Sequence, residues 1–583
     1  MRSSYWMKTA EKEWFVTVYG KRLLFLFSFF LLAFALLLMH LGVIQIGRGE
    51  QYAFLALERQ TRSLYLEDYP RGDILDRRGQ SLTGRLQANR VVVFPSLIPD
   101  RTEAARFLGT VLGVPADRIS PYLTGDPAYL PRDLTPGMVE TIREKGMPGI
   151  VVLPVSFRYG PRPLAVQVVG YLGRAQSRTE LAALQNSSGK AYQLNDWIGQ
   201  AGLEKFYEQE LKATRPRDAA RLFVDAAGRP LPGLGLQFAS GRKDPGRRHV
   251  VTTIDARIQQ VVENVMDRRV KKGAVVVMDT RTGDILALAS RPAYDPRPEA
   301  LPGYLLTGEK GTFMDQATAL FQPGSVFKVV VAAAALAEGL VTPDSRFTCR
   351  GSADEPVRCW YGPGHGNINF SRAFAESCNP VFVRVGLELG PEKIIEYARR
   401  FGLDNQAITG YPVTPDPRQD LGLIAASHNL VNSSLGQGPV LATPVQLAAM
   451  INVLANNGTY IQPRLVMELR DDGGRPVRTF PVEKGHRVLP PSVVAQLREM
   501  MEQVTTRGVG REAYLPGCGS AGKTGSAQVD DHGRVNAWFS GYAPVHDPRY
   551  TITVLVREGI SGGESAAPVF REIMEQILPL PPA

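Results

Sequence analysis

Residues 23–46, LLFLFSFFLLAFALLLMHLGVIQI, contain no Asp, Glu, Lys or Arg. About 24 helical residues at 1.5 Å each span roughly 36 Å, enough to cross a hydrocarbon core of about 30 Å with some tilt. A secretory signal has a shorter apolar core that ends in a small-x-small cleavage site. Here the run passes into Gln45, Ile46, Gly47, Arg48, Gly49 and Glu50, so the sequence predicts a retained transmembrane helix over 23–46. The buried core helices of soluble domains are rarely so long and apolar. Ahead of the run, Arg2, Lys8, Lys12, Lys21 and Arg22 outnumber Glu11 and Glu13. That excess predicts a cytoplasmic tail over 1–22 and places everything after residue 46 outside a plasma membrane.

The remaining chain is long enough for several packed domains: 583 residues in all, 44% hydrophobic and 21% charged. A formal net charge of +10 suits an anionic partner such as a membrane surface or an anionic lipid-linked substrate. The basic stretch from Arg215 to Arg248 is rich in Pro and Gly and poor in aromatics. It reads as a loop-rich connection, and no nucleic-acid groove is expected.

From 47 to about 245 the sequence is mixed and broken by PRGDILDRRG, YGPRP and PLPGLGL. A second region, 246–583, opens with a short strand, then Asp255 as helix cap, then a helical pattern with Ile258, Val262 and Val265 or Met266 on one side. GAVVVMDTRTGDILALAS reads as an antiparallel hairpin. VFKVVVAAAALAEGL has the Ala content of a buried helix. Near the end come three strand-like runs, KTGSAQV, VNAWFSGYAP and YTITVLVREG, and the amphipathic APVFREIMEQIL. Strands at both ends with helices between them predict an α/β sandwich on an antiparallel sheet.

Cysteines stand at 349, 359, 378 and 518. None forms a CxxC pair and the histidines show no ligand spacing beside them, so no metal site is expected. Cys349 and Cys359 bracket a short polar segment and, in an oxidising compartment, could close a disulfide; two buried free thiols are the alternative.

The chemistry gathers at FQPGSVFKVV, where Ser325 opens the Ala-rich helix and Lys328 follows three residues on, sharing its face. A serine hydroxyl needs a base, and a lysine with a free pKa near 10.4 serves only if burial or another cation lowers it. The spacing alone is unspecific, since Ser187/Lys190, Ser240/Lys243 and Ser520/Lys523 repeat it. Specificity comes from order: Ser377-Cys378-Asn379 follows, then Lys523-Thr524-Gly525-Ser526. S-x-x-K, S-x-N and K-T-G in that order mark penicillin-binding proteins and serine β-lactamases. Ser427-His428-Asn429 is a second S-x-N, but Ser377 has Pro380 and an apolar run behind it.

These motifs give each residue an expected task. Ser325 attacks the carbonyl of a terminal D-Ala-D-Ala bond and Lys328 takes its proton. Ser377 relays a proton to the leaving amine, and Asn379 holds Lys328 and the substrate amide. Lys523, with the Thr524 and Ser526 hydroxyls, suits a terminal carboxylate. Gly525 lets the strand edge pass close to the substrate, and the N–H groups of Ser325 and Ser526 make the oxyanion hole. The Lys523 ammonium is expected to depress the pKa of Lys328.

With these residues in place, the chain resembles the class B, monofunctional penicillin-binding proteins over nearly its whole length. RGDILDRRG at 71–79 resembles the family's first N-terminal motif, and GQAGLEKFYEQEL its G-x-x-G-L-E segment, with Glu204 at the acidic position. SSLGQGPVLATP and NAWFSGYAP resemble the stretches flanking the K-T-G strand. The resemblance implies a single anchor, an elongated pedestal domain of the dimerisation type over 47–245 and a transpeptidase domain of the β-lactamase fold over 246–583. It implies no cofactor. The implied partners are peptidoglycan stem peptides on glycan derived from lipid-linked precursors, β-lactams as inhibitors, and a SEDS-type membrane glycosyltransferase. Ser526 stands where many relatives have Thr, which keeps the hydroxyl. No segment resembles a glycosyltransferase domain, and Gly364-His365-Gly366 near the cysteines leans toward the elongation branch.

Two other readings share the motifs. A serine β-lactamase or penicillin-sensing receptor would use the same triad of motifs, but no E-x-x-L-N-type deacylation segment is present. A non-catalytic wall-synthesis scaffold would not need Ser325, Lys328 and Lys523 all intact.

Overall fold

The computed structural model describes residues 4–47, 61–194, 196–214, 217–225, 229–231, 236–241, 243–308, 311–412, 419–426, 428–529 and 534–581. An α-helix runs Ser4–Gly42 and ends in a five-residue π-helical turn, Val43–Gly47. Within it Gly20–Gln45 is long and apolar enough to cross a membrane, with mean hydropathy 2.5. Its large side chains lie exposed, Phe25 at 74% and Phe30 at 65%, as an anchor needing a lipid surround requires.

The chain divides into two compact units. One comprises residues 1–66, 89–154 and 218–240. In it Thr61–Tyr65, Ala219–Phe223 and Leu236–Ala239 form an antiparallel sheet. The helix Arg101–Leu112 starts where the Asp100 carboxylate accepts the N–H groups of Thr102 and Glu103, and it stops at Gly113 in the left-handed region. Its apolar face, Ala104, Leu108 and Leu112, packs with Val91, Val93, Ile142 and Val152.

The other unit comprises 67–88, 155–217 and 241–583. Its centre is a five-stranded antiparallel sheet of β1 (Gly273–Asp279), β2 (Ile285–Arg291), β3 (Ala521–Gln528), β4 (Val535–Ala543) and β5 (Tyr550–Gly559). The order across the sheet is β2-β1-β5-β4-β3, which leaves β3 at an edge. Period-two alternation sends successive side chains to opposite faces. Val275, Val277, Phe539, Ile552 and Val554 meet α1 (Ala256–Arg269) and α6 (Ala567–Ile577) through Val262, Val265, Phe570 and Ile573. Val276, Trp538, Tyr542 and Leu555 join the opposite core, with α2 (Lys328–Ala337), α3 (Asn379–Arg400), α4 (Pro444–Ala455) and α5 (Pro491–Thr506). Asp255 caps α1 by accepting the Arg257 N–H, as the sequence predicts.

The segments 67–88 and 155–217 meet through a buried ion cluster. Glu204, 0% exposed, accepts from Arg71 Nε at 3.1 Å, Arg158 Nε at 2.5 Å and Tyr159 Oη at 3.0 Å. Glu208 pairs with Arg71 Nη1 at 2.8 Å. The first N-terminal motif and the G-L-E motif, more than a hundred residues apart in sequence, are thus the two halves of one salt bridge.

Candidate active site

Ser325 lies in a one-turn 3-10 helix, Gly324–Phe327, that runs straight into α2. Val329 to Ala335 are fully buried, and the three valines among them contribute roughly 1.5–3 kcal/mol each through burial. The turn seats against β3. Gly324 has φ +55°, and a Cβ there would come within 3.2 Å of the Ser526 nitrogen. A Cβ on Gly525 would stand 2.5 Å from the Pro323 carbonyl oxygen. The bare flank of Gly525 thus lets the edge strand pass close to the nucleophile's own turn. Trp538 Nε1–H closes the seat by donating to the Gln322 carbonyl at 3.0 Å.

Behind Ser325 two lysines converge. Lys328, 0% exposed, donates to the Ser377 carbonyl at 2.8 Å, the Ser377 hydroxyl at 3.3 Å and Asn379 Oδ1 at 2.7 Å. Lys523, also 0% exposed, donates to the Ser377 hydroxyl at 3.0 Å and the Thr524 carbonyl at 3.2 Å. Phe382 lies 5.2 Å under Lys328 Nζ and Phe374 5.8 Å under Lys523 Nζ, so aromatic faces offset part of the lost hydration. Burial lowers the Lys328 pKa to about 7. The expected cause, repulsion from Lys523, is not the leading one: desolvation is. Repulsion from Lys328 instead adds to burial in holding Lys523 well below the ordinary lysine range.

The structure brings Lys328, Ser377, Asn379 and Lys523 into one hydrogen-bonded cluster. Among the described residues, Lys328 Nζ bonds to Ser377 and Asn379 and not to Ser325. Thr524 is nearly buried and Ser526 is exposed on the edge strand. The Ser526 hydroxyl accepts the Gly562 N–H at 3.0 Å, which fixes its position. Of the competing spacings, Lys190 is held by the carbonyls of Gln209, Lys212 and Gly246, and the Ser520 hydroxyl donates to the Ala513 carbonyl. Ser427 of the second S-x-N lies outside the described residues.

A second cluster touches the same turn, and the sequence reading missed it. Cys349 and Cys359 are free thiols, so of the two alternatives the disulfide is not formed. Both sulfurs face His365 Nδ1, at 3.5 and 3.4 Å, and Cys378 completes a group whose ligand atoms all lie within 4.8 Å of one another. Spacing along the chain gives no sign of this grouping, because three separate segments bring the four side chains together. The pattern is C-x9-C-x5-H-x12-C, which no short motif would reveal.

A serine opening a buried helix, a lysine one turn on, an S-x-N turn and a K-T-G edge strand define the class of acyl-serine enzymes that takes in penicillin-binding proteins and serine β-lactamases. The chain belongs to the penicillin-binding protein transpeptidase family, whose penicillin-binding protein transpeptidase domain matches residues 273–575 and whose dimerisation domain matches 67–235. A peptidoglycan D,D-transpeptidase PbpA of Mycobacterium tuberculosis is 32% identical over 64% of this chain and 81% of its own length. The ceftriaxone acyl-enzyme of penicillin-binding protein A from M. tuberculosis superposes with TM-score 0.52 at 31% identity, covering 57% of this chain and 81% of that one. A chain from a peptidoglycan synthase complex, described as coordinating polymerization and crosslinking, gives TM-score 0.71 at 25% identity over 95% of this chain and 98% of that one.

Proposed function

We propose that Ser325, Lys328, Ser377, Asn379 and Lys523 carry the acyl transfer of a peptidoglycan D,D-transpeptidase, the activity that family membership gives this chain. The observation that supports these roles is the meeting of two buried lysines on one serine hydroxyl, Ser377 Oγ. Ser325 Oγ attacks the penultimate D-Ala carbonyl, and its proton passes to neutral Lys328. The Ser377 hydroxyl then hands a proton to the departing D-Ala amine and takes one from the Lys328 ammonium, which returns Lys328 to its neutral form, while Lys523 donates to the same hydroxyl from the other side. Backbone N–H groups of Ser325 and Ser526 receive the oxyanion, and Thr524 and Ser526 on the edge strand receive the substrate's carboxylate. An amine from a second stem peptide then takes the acyl group from Ser325, forming the cross-link and freeing the serine. A β-lactam ring opens on the same oxygen and stays there.

The apolar helix, long enough to cross a membrane, supports a single-pass anchor for this member of the family. Its tail is cytoplasmic and its catalytic unit extracytoplasmic, a reading that rests on the Lys/Arg excess ahead of the span. There the enzyme works beside a SEDS-type glycosyltransferase that supplies nascent glycan, as the resemblance to a synthase-complex chain supports.

Fluorescent penicillin offered to the purified full chain, beside Ser325→Ala, tests the assignment. A stable adduct on the parent and none on the variant is expected. Rapid turnover of the drug would make the chain a β-lactamase, and an adduct surviving Ser325→Ala would move the nucleophile elsewhere.

A further inference from the structure

We propose that a polar cavity at the C-terminal end of α3 binds an α-amino-acid zwitterion, an ammonium and a carboxylate carried on one carbon.

Helix α3 begins at Asn379 of the lysine cluster and ends at Arg400. At that far end lies a cavity of about 320 Å³, within the range of about 300–1,000 Å³ that small-molecule sites occupy. Its wall includes Arg399, Asp404, Tyr460, Glu483, Lys484 and His486. Tyr460 and His486 face each other across a short antiparallel ladder, and their rings lie 5.2 Å apart at 36°. His486 Nε2 donates to the Arg400 carbonyl at 3.3 Å, which ties the ladder to the helix end. The tip of the Tyr460 ring rests on Gly402, at φ +77°, where a Cβ would stand 2.5 Å from Cε2 and 2.7 Å from the hydroxyl oxygen. The ring, and with it the hydroxyl, is held in place.

Two observations point to a ligand. Tyr460 is 6% exposed, yet among the described residues its hydroxyl has no hydrogen-bond partner. A buried tyrosine hydroxyl ordinarily finds one, because leaving it unpaired costs free energy. The second observation is charge. Arg399 and Lys484 are cationic, Asp404 and Glu483 anionic, and among the described residues none of the four is in an ion pair. Glu483 accepts only from the Thr409 hydroxyl, at 3.4 Å. A ligand of one sign would meet like charge at two of these groups. A compact ligand carrying both signs meets an opposite charge for each of its own.

The same groups set its orientation. Burial first, and then the carboxylates of Asp404 and Glu483, hold the Tyr460 pKa above the ordinary tyrosine value. The hydroxyl therefore stays neutral beside two anions, with lone pairs free to accept from an ammonium. The negative end of the α3 dipole favours the ammonium there as well. The carboxylate is left to Lys484 and Arg399 at the rim.

Transpeptidation offers two sources of this chemistry: the D-alanine released on acylation, and a stem peptide whose diamino residue ends in an amine and a carboxylate on one carbon. The cavity stands on its lining residues; only the choice between the sources rests on the function proposed above. Ligand-detected NMR on the full chain in detergent tests it, with D-alanine and a synthetic tripeptide ending in meso-diaminopimelate as probes. At least one should bind, and N-acetyl-D-alanine, which lacks the ammonium, should bind at least about tenfold more weakly. Tyr460→Phe keeps the ring on Gly402 and Lys484→Gln changes an exposed side chain, so both should fold and each should weaken the zwitterion by about tenfold. Chain acylated by penicillin should bind as the free chain does, which separates the cavity from the active site. Tighter binding of the tripeptide upholds the site with the stem peptide as its source, and tighter binding of D-alanine upholds it with the leaving group. No binding of either probe, or equal binding of N-acetyl-D-alanine, would overturn the site. A signal lost on penicillin acylation but kept in Tyr460→Phe would place the ligand at Ser325 and overturn it too. A chain that takes no penicillin would sink the proposed function alone, because Tyr460→Phe still reads the cavity.

Discussion

Lys328 and Lys523 share one acceptor: both ammonium nitrogens point at the Ser377 hydroxyl, from 3.3 and 3.0 Å. Two cations at such a distance, both 0% exposed, cannot both stay charged at low cost. Burial puts Lys328 near pKa 7 and holds Lys523 below its ordinary range as well. At neutral pH about half of Lys328 is therefore neutral.

This sets the pH profile. Lys328 must be unprotonated to take the Ser325 proton, so acylation should fall as pH drops through about 7 and level off above it. A solvated lysine would place that limb near 10.4 instead. The second-order rate constant for fluorescent-penicillin acylation, measured across neutral pH, reads the limb directly. A rise centred in the ordinary lysine range would remove Lys328 as the base.

Ser377→Ala deletes the shared oxygen while Lys328 keeps the Ser377-position carbonyl and Asn379 Oδ1. If the hydroxyl relays the proton, cross-linking of a synthetic donor and acceptor should fall by about 10²–10⁴-fold. The fold should survive, because the turn's backbone bonds remain. Equal cross-linking by variant and parent would return the relay to Lys328 alone.

Gly525→Ala tests the seat of the nucleophile. The added Cβ would lie 2.5 Å from Pro323 O and 3.0 Å from Val326 Cγ2. Either β3 or the Ser325 turn must move, and a shift near 1 Å costs about 10²-fold in rate. Penicillin acylation should drop on that scale, with circular dichroism unchanged. Normal acylation would show that the strand and turn part without consequence.

Much of this was legible in the sequence, and for identifiable reasons. The period-two runs at 273–291 and 521–559 and the Ala-rich run at 328–337 became the strands and helix they predict, because their patterns are local. Ser325, Lys328, Ser377, Asn379 and Lys523 follow from motif order, and the meeting of Lys328 and Lys523 on the Ser377 hydroxyl needs the fold. Three features escaped. The role of Gly525 depends on Pro323, two hundred residues away in sequence. The lowering of the Lys328 pKa is expected from the sequence, but its leading cause is burial and not Lys523, and no spacing records how deeply the side chain is buried. The Cys/His cluster draws on three segments with irregular gaps, so its signal is spatial only.

The last expectation concerns stability. Glu204 holds Arg71 and Arg158 from the two segments 67–88 and 155–217, and all three side chains are 2% exposed or less. Removing the carboxylate leaves two guanidinium charges buried, although Glu208 still pairs with Arg71. Breaking a buried pair from one side costs about 3–5 kcal/mol, far more than an exposed pair contributes. Glu204→Ala should therefore lower the thermal unfolding midpoint by about 5–10 °C. Glu204→Gln, which keeps an oxygen for Tyr159 and Arg158, should fall between variant and parent. At low temperature the folded Glu204→Ala protein should still take fluorescent penicillin at close to the parent rate, since none of the residues proposed for acyl transfer bonds to Glu204. An unchanged midpoint would mean that the pairing of the two motifs contributes nothing net. A normal midpoint with lost acylation would mean that this buried carboxylate acts on the catalytic turn and not on the fold.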